Sequence, residues 1–200
     1  MSQMLIYPLN KAKITAGYKN DSPGYASLGV GMHYGLDITG TTFKNSRDFF
    51  ASGEGVVLGY GYAPKSAGNW LAILYKDVLG YGDLVARYFH LEKIYLKLDQ
   101  KVDINTIIAK YGNTGFSTGY HIHLELDKDI KYWDYTPTIG SNQGGLKLGL
   151  KGSKDISTVN PADVLFLKKS YPENQSAEIN SSLASNGKKW AVNRCLNSIK

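Results

Sequence analysis

The sequence predicts a mainly β protein built on an antiparallel sheet with an open groove on one face. The chain has 15 tyrosines and 22 glycines, and long runs of strong helix formers are lacking, which favours strands and turns over a helical bundle. Short apolar stretches are separated by clusters of Gly, Asn, Asp and Pro: residues 55–60, 70–75, 84–90 and 120–126. Since an antiparallel sheet tolerates one solvated face, that face can form the floor of a groove.

The remaining segments follow in chain order. Residues 33–37 are expected to form an extended segment or a tight turn, because Gly31 and Gly35 disfavour a regular helix. Residues 99–100 mark a turn, and residues 104–110 are compatible with one helical turn or with another strand. Residues 131–145 form an insertion between the predicted strand at residues 120–126 and the segment at residues 159–165.

The C-terminal part differs in composition from the rest. Residues 171–187 are rich in Asn, Ser, Glu and Pro, as in a linker. Val192, Cys195, Leu196 and Ile199 then recur at helical spacing, which predicts a short C-terminal helix. We expect it to pack back on the main domain; self-association and the start of a further module are the alternatives. We therefore expect one domain over residues 1–167, followed by a linker and a helical tail over residues 168–200.

Composition narrows the class of protein. The chain has 200 residues, of which 42% are hydrophobic and 20% charged, as in a globular domain. The net charge is +6, but the lysines are scattered and form no arginine-rich stripe, so nucleic-acid binding is not expected. No apolar run reaches membrane-spanning length, and the first 15 residues lack the features of a signal peptide. The single cysteine, Cys195, excludes an internal disulfide.

The four histidines of the chain are the candidate residues for a metal site. His121 and His123 are two apart, so on a strand both point to the same face. His33 and Asp37, four apart, also share a face. Zinc binds His nitrogen and Asp oxygen, and a hydrolytic site keeps three protein ligands and one position for water. His33, Asp37 and either His121 or His123 would complete that set, and the spacing alone does not choose between the last two.

Four segments together carry a resemblance to a known family. They are residues 33–37 (HYGLD), 51–57 (ASGEGVV), 88–91 (YFHL) and 111–125 (YGNTGFSTGYHIHLE). The chain from residue 7 to about 166 resembles the lysostaphin/LytM zinc metallopeptidases, which cut the peptide part of bacterial peptidoglycan. The resemblance implies the lysostaphin-type fold with its substrate groove and one Zn²⁺ per chain.

Carried over residue by residue, the family pattern makes His33, Asp37 and His123 the zinc ligands. His121 and His90 become catalytic histidines that do not bind the metal. The family often uses a tyrosine before the first ligand as a hydrogen-bond donor to the oxyanion that forms during the reaction; Tyr25 is the candidate and Tyr18 the alternative. An isolated histidine is more often structural than functional, but here all four fall within the family's motifs.

Three aromatic residues of the insertion, Tyr132, Trp133 and Tyr135, either line the groove as substrate-binding residues or cap the core. The expected function is a peptidoglycan endopeptidase, an antibacterial, bacteriolytic phage or prophage endolysin. Such an enzyme acts at the cell wall after release by lysis or on a virion; removal of a leader is the alternative explanation for the missing signal. The alternative function is a catalytically inactive family member that serves as a wall-binding, activating or virion structural module.

Overall fold

The structure is a computed structural model, and it describes residues 1–20, 32–42, 46–137, 144–148, 157–167 and 176–179. Within these ranges nearly all regular structure is β. Helical structure is limited to a 3₁₀ turn, Ile130–Tyr132, and a four-residue α-helix, α1 (Pro161–Val164). Neither of these helical segments is long and apolar enough to cross a membrane.

Fifteen strands are described. In chain order they are β1 (Leu5–Ile6), β2 (Lys11–Ala16), β3 (Leu36–Thr41), β4 (Asp48–Phe50), β5 (Gly55–Ala63), β6 (Gly68–Val78), β7 (Gly82–Ile94), β8 (Lys101–Val102), β9 (Ile107–Tyr111), β10 (Ile122–Asp127), β11 (Tyr135–Thr136), β12 (Lys147–Leu148), β13 (Thr158–Val159), β14 (Leu165–Phe166) and β15 (Ser176–Ile179).

One large sheet holds the fold together. Its main path runs β15-β2-β3-β10-β7-β6-β5-β8, and β13 and β9 join β10 and β7 at their ends. Apart from the parallel pairing of β15 with β2, the strand pairs of this sheet are antiparallel. The HxH strand, β10, is therefore central, with β3 on one side and β7 on the other.

The two faces of β7 and β10 have different environments. Ile122, Leu124 and Leu126 alternate out of β10 into the larger hydrophobic core, where Leu84 and Tyr88 of β7 also lie. The opposite face carries His123 and, next to it, a smaller apolar cluster that includes Phe89. That cluster consists of buried Ala63, Ala67, Trp70, Ala72, Val85, Phe89 and Leu146, with Leu58, Leu74 and Trp133 packed against it. The period-two alternation of a strand thus separates the core from the site.

The mainly β, antiparallel fold predicted from the sequence is confirmed. All four predicted strands are present and most are longer than expected, and residues 107–111 form strand β9 rather than a helical turn. Part of the expected linker, Ser176–Ile179, is a strand paired with β2. The predicted C-terminal helix, including Cys195, lies outside the described residues.

Candidate metal centre

Three predicted ligands meet at the junction of β3 and β10. Asp37 of β3 and His123 of β10 are directly paired in the sheet register, and His33 precedes β3 in an isolated bridge with Asn20. His33 Nε2 lies 3.0 Å from Asp37 Oδ1 and 2.9 Å from His123 Nδ1. His123 Nδ1 lies 3.0 Å from Asp37 Oδ1. Three potential ligand atoms therefore form a nearly equilateral triangle.

The chemistry of the triangle suits a divalent cation. His33 Nδ1 donates a hydrogen bond to the Gly17 carbonyl at 2.7 Å, which leaves the Nε2 lone pair directed at Asp37 and His123. Burial alone would raise the pKa of Asp37, but the neighbouring His33 and His123 hold it well below its ordinary value, so the group is a carboxylate at neutral pH. Two nitrogens and one carboxylate oxygen are a set that zinc accepts.

The His123 ring packs on an aromatic side chain and lies between two carboxylates, those of Asp37 and Glu125. Its ring stacks on Phe89, with centroids 5.2 Å apart and planes inclined by 4°. Burial would lower its pKa, but interactions with Asp37 and Glu125 outweigh burial and raise it to about 9. A cation at this site would have to displace the proton that His123 otherwise carries, as is usual when metals bind histidine.

His121 lies beside the triangle on its more exposed side. It forms an isolated bridge with Gly112, just before β10 begins. His121 Nδ1 donates to the Gly119 carbonyl at 2.8 Å, so in the neutral ring the lone pair is on Nε2, which lies 3.6 Å from Asp37 Oδ1. The side chains of His121 and Asp37 are 14% and 13% exposed, whereas that of His123 is 2% exposed. Solvent therefore reaches the centre past these two residues.

A β-bulge brings His90 to the same face. His90 has a φ of 63°, and the register of β7 against β6 shifts between the pairs Asn69/Leu91 and Leu71/Tyr88. Such a bulge breaks the alternation and re-aims one side chain. His90 Nδ1 donates to the Thr114 carbonyl at 2.9 Å, and its ring lies 4.8 Å from that of His121. Burial, followed by the neighbouring His121 and His123, lowers the pKa of His90 to about 3, so the imidazole is neutral.

The other predicted site residues have different outcomes. Tyr25 lies outside the described residues. Tyr18 is buried, and its hydroxyl donates to the Thr158 carbonyl at 2.9 Å rather than into the centre. Trp133 packs on Trp70 at 6.3 Å between ring centroids and joins the smaller apolar cluster. Tyr132 and Tyr135 are half-buried and form an edge-to-face pair at 5.3 Å.

A buried ion network below His123 was not foreseen. Arg87 Nε donates to Glu125 Oε2 at 2.7 Å, and its NH2 group donates to Asp127 at 2.6 Å. Arg87 and Glu125 are fully buried. Two sequence signals pointed here: an arginine inside an otherwise apolar strand, and carboxylates at i+2 and i+4 from His123, on the same strand face.

The chain matches the family model described as "Peptidase family M23" over residues 31–135. This match covers more than half of the chain and includes His33, Asp37, His90, His121 and His123. The protein therefore belongs to peptidase family M23, a family of zinc metallopeptidases, and the family predicted from the sequence motifs is confirmed.

Curated relatives give the same result. The chain is 40% identical over 97 residues to the peptidoglycan DD-endopeptidase ShyA of Vibrio cholerae, covering 48% of this chain and 20% of the relative. It is 31% identical over 120 residues to lysostaphin of Staphylococcus simulans, covering 58% and 22%. The chain thus spans only about a fifth of the length of either relative.

Among solved structures, a zinc-containing peptidase from Vibrio cholerae is similar, with a TM-score of 0.51 and 30% sequence identity. The similarity covers 62% of this chain and 37% of that one.

Proposed function

We propose that this protein is a zinc-dependent endopeptidase that hydrolyses peptide bonds in the crosslinks or stem peptides of bacterial peptidoglycan. The observation that carries the proposal is the ligand triangle of His33, Asp37 and His123, with His121 Nε2 at its exposed edge, 3.6 Å from Asp37 Oδ1. Relatives named as peptidoglycan endopeptidases support the substrate class.

His33, Asp37 and His123 would hold the ion. When bound, zinc supplies Lewis acidity that polarises a scissile carbonyl and makes water a better nucleophile at neutral pH. His121 is the proposed general base: the Gly119 carbonyl fixes its Nδ1 proton, so Nε2 is available to accept a proton and then to deliver it to the leaving amine.

His90 is the proposed partner of His121 in catalysis. The Thr114 carbonyl holds its Nδ1 proton, and its low pKa keeps the ring neutral. A neutral imidazole next to His121 can orient that ring or the substrate without repelling the proton that His121 receives. Tyr25 remains the proposed oxyanion donor, because the hydroxyl of Tyr18 is bonded to Thr158.

Two aromatic residues that follow β10 are the proposed contacts for a peptide substrate. Tyr132 and Tyr135 are the proposed substrate-binding aromatics, whereas Trp133 is mainly a packing residue on Trp70. We further propose that the enzyme acts at the cell wall as a phage or prophage lysin, with residues 1–167 as the catalytic domain. Raised KM in Tyr132→Ala and Tyr135→Ala, with unchanged thermal stability, is the expected sign of substrate binding.

Two substitutions test the assignment of roles. His33→Ala should lose both zinc and the ability to clear purified walls, because one ligand of the triangle is removed. His121→Ala should keep stoichiometric zinc and lose wall hydrolysis, because its ring lies outside the triangle. Full turnover by His121→Ala would refute the proposed base. Wild-type protein that binds zinc and walls but releases no peptide fragments would instead favour the inactive wall-binding module.

A further inference from the structure

Glu125 lies next to the buried nitrogen of His123 that faces away from the triangle. The two residues are two positions apart on β10, so their side chains share a face. His123 Nε2 is buried and has no hydrogen-bond partner among the described residues, and Glu125 Oε1 lies 3.5 Å from it. A small movement of either side chain would make this contact a hydrogen bond.

Glu125 is itself held in place from two directions. Arg87 Nε donates to Oε2 at 2.7 Å, and Thr136 Oγ1 donates to Oε1 at 2.7 Å. Glu125 is fully buried and Thr136 is 2% exposed, so water does not compete for these bonds. Thr136 belongs to β11 in the segment that follows β10, and this segment is also bonded through the Trp133 carbonyl to Arg87.

We infer that Glu125 is a positioning residue for His123, fixed by Arg87 and Thr136, that keeps Nδ1 of the ring directed at His33 and Asp37. This inference rests on the proposed zinc site. A carboxylate that accepts the second ring N–H of a ligating histidine fixes the tautomer and the ring angle and makes the ligand more basic. Because Thr136 holds Glu125, the segment after β10 helps to position the metal ligand His123.

The ion network offers a matched control. Asp127 is also buried, lies on the same strand and pairs with the same arginine, at 2.6 Å, but its carboxylate contacts Arg87 rather than His123. Glu125→Gln and Asp127→Asn therefore remove the same charge from the same arginine. Only the first places an amide beside His123 and Thr136.

The test is zinc affinity, measured by competition with a chromophoric chelator, together with the visible spectrum of the Co²⁺-substituted protein. Glu125→Gln should bind zinc roughly tenfold or more weakly and change the Co²⁺ spectrum, as expected for loss of a carboxylate behind a ligating histidine. Asp127→Asn should keep the wild-type affinity and spectrum. Equal losses in both variants, or no loss in Glu125→Gln, would overturn the inference.

Because an altered buried ion network can prevent folding, a second pair of variants keeps the carboxylate. Thr136→Val removes the hydroxyl at nearly constant volume and should weaken zinc binding by up to about fivefold, the equivalent of one hydrogen bond. Thr136→Ser keeps the hydroxyl and should restore the affinity. If Glu125→Gln does not fold, equal affinities of Thr136→Val and Thr136→Ser would overturn the inference.

The wild-type protein separates this inference from the proposed function. Absence of stoichiometric zinc in the wild type would contradict the proposed zinc enzyme, and the inference would fall with it. Tight zinc in the wild type with unchanged affinity in the variants would contradict the positioning role alone.

Discussion

Replacing Gly35 with alanine is expected to remove zinc binding while leaving the sheet folded. Gly35 lies between the two ligands of the HYGLD segment, directly against the ring of His123. A Cβ at this position would lie 2.5 Å from His123 Nε2, 2.6 Å from His123 Cε1 and 2.9 Å from the Leu124 carbonyl oxygen. Because the Leu124 carbonyl belongs to the backbone of a central strand and cannot shift easily, the His123 ring is the group that must move.

The size of that movement decides the outcome. Carbon and nitrogen pack best at about 3.5 Å, so the ring has to shift by roughly 1 Å. Ligand distances in a zinc site tolerate only about 0.2 Å. The shift therefore exceeds the tolerance several-fold. Overpacking of this kind costs about 1–3 kcal/mol in the free energy of unfolding, or a fall in Tm of roughly 2–4 °C for each kcal/mol.

The assay is chelator competition for zinc, with the Tm of the zinc-free protein measured by circular dichroism. Gly119→Ala is the matched control, since a Cβ at Gly119 would meet nothing within 4 Å although the residue is close to His121 in sequence. The control should bind zinc like the wild type. Wild-type zinc affinity in Gly35→Ala would refute the reasoning, because His123 could then not be a ligand in the observed position.

Three further predictions follow from the same geometry. Removing zinc with a chelator should lower Tm, and adding zinc back should restore it, because a ligand at 100 times its Kd stabilises the folded state by about 2.7 kcal/mol. An unchanged Tm would argue against a contribution of the ion to stability. Arg87→Leu leaves two buried carboxylates without their arginine and should cost about 3–5 kcal/mol in urea unfolding. Arg47→Leu is the control and should cost much less, because its partner Glu92 has a side chain that is 39% exposed. His90→Asn should keep zinc and lose most wall hydrolysis, as measured by zymography. His90→Val should lose hydrolysis too and, because a β-branched residue tolerates the positive φ poorly, should also be roughly 1–2 kcal/mol less stable. Equal Tm values for the two variants would contradict the argument from the bulge.

Much of the site was predictable because its residues follow local rules. Period-two alternation put His121 and His123 on one side of a strand, and the motifs placed all four histidines within one family. The same alternation would have placed Glu125 beside His123. Arg87 carried a signal of its own, since a charged residue inside a buried strand requires a partner. Neither signal shows that Arg87 pairs with Glu125 and Asp127, so the ion network could be recognised only from the structure.

The sequence by itself determined the kinds of ligand atoms, the strand faces and the family. Only the tertiary structure decided which atoms meet. Asp37 and His123 are 86 positions apart, and they become neighbours because β3 and β10 pair in one register. The tautomers of His33, His90 and His121 depend on backbone carbonyls from other segments or turns. Strand order and register arise from packing over the whole sheet, and a local residue pattern does not encode them.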